Sequence, residues 1–164
     1  MEPVRYMDRI RDYYLGQGYE KPYRWAHFED VPFTPLKKPL AESRVTLFST
    51  SDVSVKRPES EALPAEETTV GDVYSVPWDT PVDRLYSRQE SFDRYATSLD
   101  DLNSYLPLTR LQEYVEEGRI GAVTEHFHNV NRGYSQKLMM ERSAPEALAL
   151  CRKEGADVAV LTPV

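Results

Sequence analysis

Three groups of side chains in this sequence carry the types and spacing of a chemical site. His126 and His128 stand in Glu125-His-Phe-His128, straight after the apolar run Arg119-Ile-Gly-Ala-Val123. At this spacing they share a side of an extended segment but not of a helix. Imidazole titrates near neutrality, so such a pair at the carboxyl end of a strand can act as acid or base, the competing reading being a purely structural pair. Ser49 and Thr50, with Ser51 behind them, close the run Arg44-Val-Thr-Leu-Phe-Ser-Thr50. Their hydroxyls suit anchoring of a carboxylate or another anion, or capping of a turn. No Gly-x-Gly-x-x-Gly pattern accompanies them, which speaks against dinucleotide or phosphate binding. Asp93 and Asp100 lie in the acid-rich stretch before Pro107. Ser98 and Asp101 have the spacing of a capped turn, which leaves Asp93 and Asp100 for polar work or for solvation. A metal-dependent hydrolysis by His126, His128 and Asp100 lacks a recognised ligand spacing, so no metal is expected.

The elements that must position these residues read as α/β: a mostly parallel sheet with flanking helices, preceded by an N-terminal helix and an aromatic, Pro-rich arm. The last stretch sets the plan. Ser143 with Glu146 three residues on, Pro145 in the first turn and Gly155 at the far end predict a capped helix. The run Val158-Ala-Val-Leu161 has no polar alternation and predicts a strand covered on both faces. Ligands of open parallel sheets bind beyond the carboxyl ends of the strands, which brings Thr162 to the expected site. Leu108, Leu111, Tyr114 and Val115 predict a further helix, and Leu138-Met-Met140 an extended lead-in to the last one. Upstream, Val4, Met7, Ile10 and Tyr14 predict an amphipathic helix over Pro3–Leu15, within an N-terminal segment 1–18 closed by Gly16 and Gly18. Residues 19–42 follow as the arm, in which His27 is expected to bond backbone. Residues 52–72 read as a flexible loop, Val73–Trp78 as an edge strand limited by Pro77, and Arg84–Phe92 as a strand.

With 164 residues the chain is one domain's worth, read as a single α/β domain over 1–164. A net charge of -7 argues against nucleic acid or an anionic membrane as partner. The sequence has neither an apolar run of membrane-spanning length nor an apolar signal core, and a cytoplasmic location is expected. Cys151 is the single cysteine, so dithiol chemistry would need a thiol from elsewhere.

Val4-Arg-Tyr-Met-Asp-Arg-Ile10, Tyr23-Arg-Trp-Ala-His27, Val31-Pro-Phe-Thr-Pro-Leu-Lys-Lys-Pro-Leu40, Asp93-Arg-Tyr-Ala-Thr-Ser-Leu-Asp-Asp101, Gly118-Arg-Ile-Gly121 and Gly155-Ala-Asp-Val-Ala-Val-Leu-Thr-Pro-Val164 resemble the selenoprotein B family of glycine, sarcosine, betaine and D-proline reductases. The likeness is to its short members, similar to the D-proline reductase selenoprotein subunit, and spans nearly the whole chain except residues 52–72. It implies an oxidoreductase that reductively cleaves a C–N bond of a small amine or amino-acid substrate. It further implies a selenocysteine or cysteine pair as nucleophile and resolving thiol, a pyruvoyl group on a partner subunit, and a homo- or hetero-oligomer with other reductase subunits. The family's Cys/Sec-x-x-Cys motif follows the strand matched by Val158–Val164 and has no counterpart among these residues. The expectation is a UGA selenocysteine codon after Val164. Cys151, in the helix before that strand, is expected to be inert. On this reading a histidine donates a proton to the leaving amine, while Ser49, Thr50 and Thr162 anchor a carboxylate. The alternative is a non-catalytic binding or assembly protein that keeps the fold without redox thiols.

Overall fold

A computed structural model describes residues 3–22, 27–56, 68–90, 92, 95 and 98–164. The chain divides into two compact units, Met1–Thr34 and Pro35–Val164. In the first, helix α1 runs Tyr6–Gly16, starting later than the expected Pro3, with Arg5 at its N-cap position making no side-chain cap bond. Gly18 closes it with φ 88°, a left-handed conformation suited to glycine. None of its residues is buried. Arg11 pairs with Asp8 and Asp12 on its surface, while Tyr14 packs edge-on between Tyr13 and Tyr19. His27 is exposed, and the backbone bond expected of it is not found among the described residues. Most of the Tyr23–His27 motif lies outside the described residues.

The second unit is α/β, with a mixed, mostly parallel sheet. Strand β1 (Arg44–Ser49) is its centre, and residues Val45 to Ser49 are buried because the strand is covered on both faces. On one side β1 pairs in parallel with β5 (Ala122–Val123) and then with β6 (His126–Val130). On the other it pairs with β7 (Val158–Thr162), again in parallel. Strand β3 (Val73–Pro77) runs antiparallel to β6 and forms an edge, as expected from Pro77. Strands β2 (Val53–Val55) and β4 (Leu85–Ser87) form a separate antiparallel ribbon. The expected flexible loop therefore starts with a strand, while residues 57–67 lie outside the described residues. The expected strand Arg84–Phe92 shrinks to Leu85–Ser87.

One face of the sheet carries Val45, Leu47, Val76 and Phe127, packed with Trp78, Leu102, Leu106, Ile120 and helix α2 (Leu108–Glu116). The opposite face carries Phe48 and His128 beneath a helical run of three parts. These are α3 (Gln136–Leu138), a π-helical turn (Met139–Ser143) and α4 (Ala144–Lys153). The expected N-cap at Ser143 is thus corrected. Ser143 has helical angles, and the cap is Ser135, whose side chain accepts from Leu138 N–H. Leu138–Met140 is helical rather than extended. Proline cannot donate to the carbonyl four residues back and its ring strikes that carbonyl. For Pro145 that residue is Glu141, inside the π-helical turn, and the wider turn lets the helix continue through the proline.

Strand β7 also departs from expectation. It is an edge strand whose side chains alternate between half-buried and exposed, not a strand buried on both faces, and Leu161 is 70% exposed. Its apolar run reflects an uncovered face rather than a second covered one. No helix among the described residues is long and apolar enough to cross a membrane.

Candidate functional site

The carboxyl ends of β1, β6 and β7 open into a cleft of about 480 Å³ between the sheet and the π-helical turn. Its walls are apolar: Phe48 and Val130 from the sheet, Met139, Ala144 and Ala147 from the helix, Leu161 and Pro163 from the edge. Ser49, Thr50, Ser143 and Thr162 complete the lining. This is the location expected from the topology, and three of the six site residues expected from the sequence, Ser49, Thr50 and Thr162, meet here.

The hydroxyl protons are already committed. Ser49 Oγ lies 2.9 Å from the Tyr105 carbonyl it donates to and 2.6 Å from Ser51 Oγ. Thr162 Oγ1 points at the carbonyls of Phe48 and Tyr105, at 3.1 and 3.2 Å. Ser143 Oγ donates to Gly71 O at 2.7 Å. Thr50 Oγ1 accepts from Val164 N–H at 2.9 Å and faces the Val164 carbonyl at 3.4 Å. A hydroxyl that donates to a carbonyl offers only its lone pairs elsewhere, so anchoring a carboxylate would require its proton to turn away from that carbonyl.

Behind the cleft the β1–β2 connection turns through Asp52, whose φ of 51° is left-handed, a conformation Asp tolerates better than most residues. Asp52 accepts from Tyr74 Oη at 3.1 Å and pairs with Arg88 at 3.0 Å. Burial, and then the Asp52 charge, push the Tyr74 hydroxyl above its usual range, so it stays protonated as a donor. Asn129 Oδ1 accepts from Val53 N–H, which fixes its amide so that Nδ2 points elsewhere, buried and without a partner among the described residues. Sequence reading missed this network because its members come from four separate segments without a shared motif.

The histidines sit elsewhere. Both β5 and β6 pair with β1, Val45 with Val123 and Phe48 with His128, so Thr124 and Glu125 form a bulge and the strand continues past it. His126 and His128 therefore lie within the strand and not beyond its carboxyl end, and neither lines the cleft. They do share one side of the strand, as their spacing requires. His128 is fully buried, stacks on Phe48 with ring centroids 4.6 Å apart, and places Nδ1 2.9 Å from Ser75 Oγ. Burial lowers its pKa to about 4 and keeps it neutral. His126 is clamped by Glu154 at the end of α4, which takes the His126 backbone N–H at 3.1 Å and Nδ1 at 2.8 Å. This contact places a proton on Nδ1, facing the carboxylate. Glu154 was legible only as a helix-end residue, since its partner is remote in sequence.

Asp100 is exposed and accepts from Ser98 Oγ at 2.7 Å, with no bond to either histidine. Asp101, not Ser98, caps the short turn Leu102–Ser104 by accepting from Asn103 N–H. Asp93 lies outside the described residues. Cys151 is half-buried and burial raises its thiol pKa, so the thiolate is disfavoured. Among the described residues no group of three or more His, Cys, Asp or Glu side chains converges as metal ligands would. In comparisons with known proteins, no family pattern, no curated protein and no solved structure matches this chain.

Proposed function

We propose that this chain is the substrate-holding part of a reductase subunit of the selenoprotein B kind, acting in the cytoplasm on a small amine or amino acid. The observation that carries the reading is the cleft. It is apolar and stands at the carboxyl ends of a parallel sheet, a lining suited to the aliphatic body of a small amine. In the reaction the carbon–nitrogen bond breaks, carbon and nitrogen each end with a new hydrogen, and a thiol or selenol pair gives up two electrons to become a disulfide or selenosulfide. That pair and a pyruvoyl carbonyl would come from outside these 164 residues, whose single thiol, Cys151, does not line the cleft. The chain's own part is to bind and orient the amine and to exclude water around it. Because neither histidine lines the cleft, the reading gives them no direct proton transfer to substrate.

Calorimetric titration of the chain with D-proline, sarcosine, glycine and betaine, and with their N-pyruvoyl derivatives where nitrogen allows, tests the reading. Saturable binding of one of them, lost in Ala147→Trp, is the expected result; no heat with any of them overturns it.

A second reading, a binding or assembly protein without redox chemistry, draws on a different observation. Every hydroxyl of the cleft is already tied to the protein's own backbone, as it would be if these groups served architecture alone.

A further inference from the structure

The two edges of the main sheet are built differently. Strand β3 ends in Pro77, which cannot donate to another strand. Strand β7, Val158–Thr162, carries no charge and no proline, although 29% of the chain is charged. Its outer backbone groups can be identified. Thr50 N–H donates to the Thr162 carbonyl, so Thr162 faces β1, and by strand alternation Ala159 and Leu161 turn their N–H and C=O groups outward. Among the described residues no strand takes them. The side chains of Ala159 and Leu161 are exposed as well.

We infer that β7 pairs antiparallel with β7 of a second copy of this chain, about a two-fold axis at Val160. In that register Ala159 lies opposite Leu161 of the second copy, and the outward groups of both residues are all hydrogen-bonded. The small Ala159 side chain then meets the large Leu161 side chain on the face that is open in one copy, and Val160 meets Val160 on the core side. Asp157 falls opposite Pro163, so no like charges meet, and Asp157 is already held by Lys38 at 2.7 Å. An isologous contact of this kind closes on itself, which is why an unprotected edge need not lead to open-ended stacking. Leu161 also lines the cleft, so the second copy would complete the cleft's outer wall. The pairing stands on the edge geometry and is independent of the reductase reading.

Sedimentation equilibrium of the chain should give the mass of a dimer. Leu161→Pro removes only an outward N–H and should give the mass of a monomer with an unchanged far-ultraviolet circular dichroism spectrum. Ala159→Pro, which likewise removes only an outward N–H, should do the same if the Leu161 variant fails to fold. In a Cys151→Ala background, Val160→Cys should cross-link under mild oxidation, since facing residues of that kind sit about 4.5 Å apart at Cα. Val158→Cys, which faces Thr162, should not. A monomeric parent, a dimer that persists in a folded proline variant, or equal cross-linking at positions 158 and 160 each overturns the pairing.

Discussion

The two faces of the central sheet are filled to different standards. On one, Leu47 and Phe127 are fully excluded from water, and Trp78 meets Phe127 edge-on with ring centroids 6.2 Å apart. On the other, α4 contributes no fully buried residue, a cleft remains, and the buried side chains include a histidine. Dense apolar packing supplies stability, while the looser face leaves an apolar cleft of a size that admits a small molecule. The π-helical turn belongs to the second face, where it holds the helix over the cleft in spite of Pro145.

The contrast can be broken by mutation. Phe127→Ala on the dense face should cost about 3 to 5 kcal/mol, read from chemical denaturation, because it leaves a cavity in a core that cannot collapse around it. A loss below about 1 kcal/mol would mean that this face is not the stabilising one.

The next effect is one of pH. His128 has a folded pKa of about 4, below its ordinary 6.5, so the unfolded chain takes up a proton that the folded chain refuses. Its contribution is complete above pH 6.5 and is lost as pH falls toward 4, amounting to roughly 3 kcal/mol by the conversion of pKa shift to free energy. Stability measured across this window should fall less in His128→Leu than in the parent. Equal slopes would show that His128 is solvated.

Smaller losses should sharpen the comparison. Ser143→Ala removes a buried bond to Gly71 O and should cost about 1 to 2 kcal/mol in thermal unfolding. Leu148→Ala, on the outer side of α4 at 48% exposure, should change stability by no more than about 0.5 kcal/mol.

How far the sequence could be read follows from the range of the forces involved. Strand β1, helix α2 and the α/β plan were legible because local patterns of apolar residues determine them. The carboxyl ends of β1 and β7, with Ser49, Thr50 and Thr162, followed from topology. The placement of the histidines did not, because the apolar run before them gives no sign that the Thr124–Glu125 bulge carries the strand onward. Nor did the cap of the last helix, where Ser143 and Pro145 imitate a helix start and the π-helical turn absorbs the proline. An edge strand and a central one can share the same apolar run, and only the neighbours of β7 separate them. Glu154 on His126 joins residues 28 apart and left no local signal.

The central claim is that the cleft beneath the π-helical turn is where this protein holds its ligand. Methyl-resolved nuclear magnetic resonance during titration with D-proline, sarcosine, glycine, betaine and the N-pyruvoyl compounds tests it most directly. The account predicts saturable shifts at the methyl groups of Met139, Ala144, Ala147 and Leu161, with Leu47 and Leu108 in the dense core unmoved. Unchanged spectra, or shifts that map away from these residues, would contradict it.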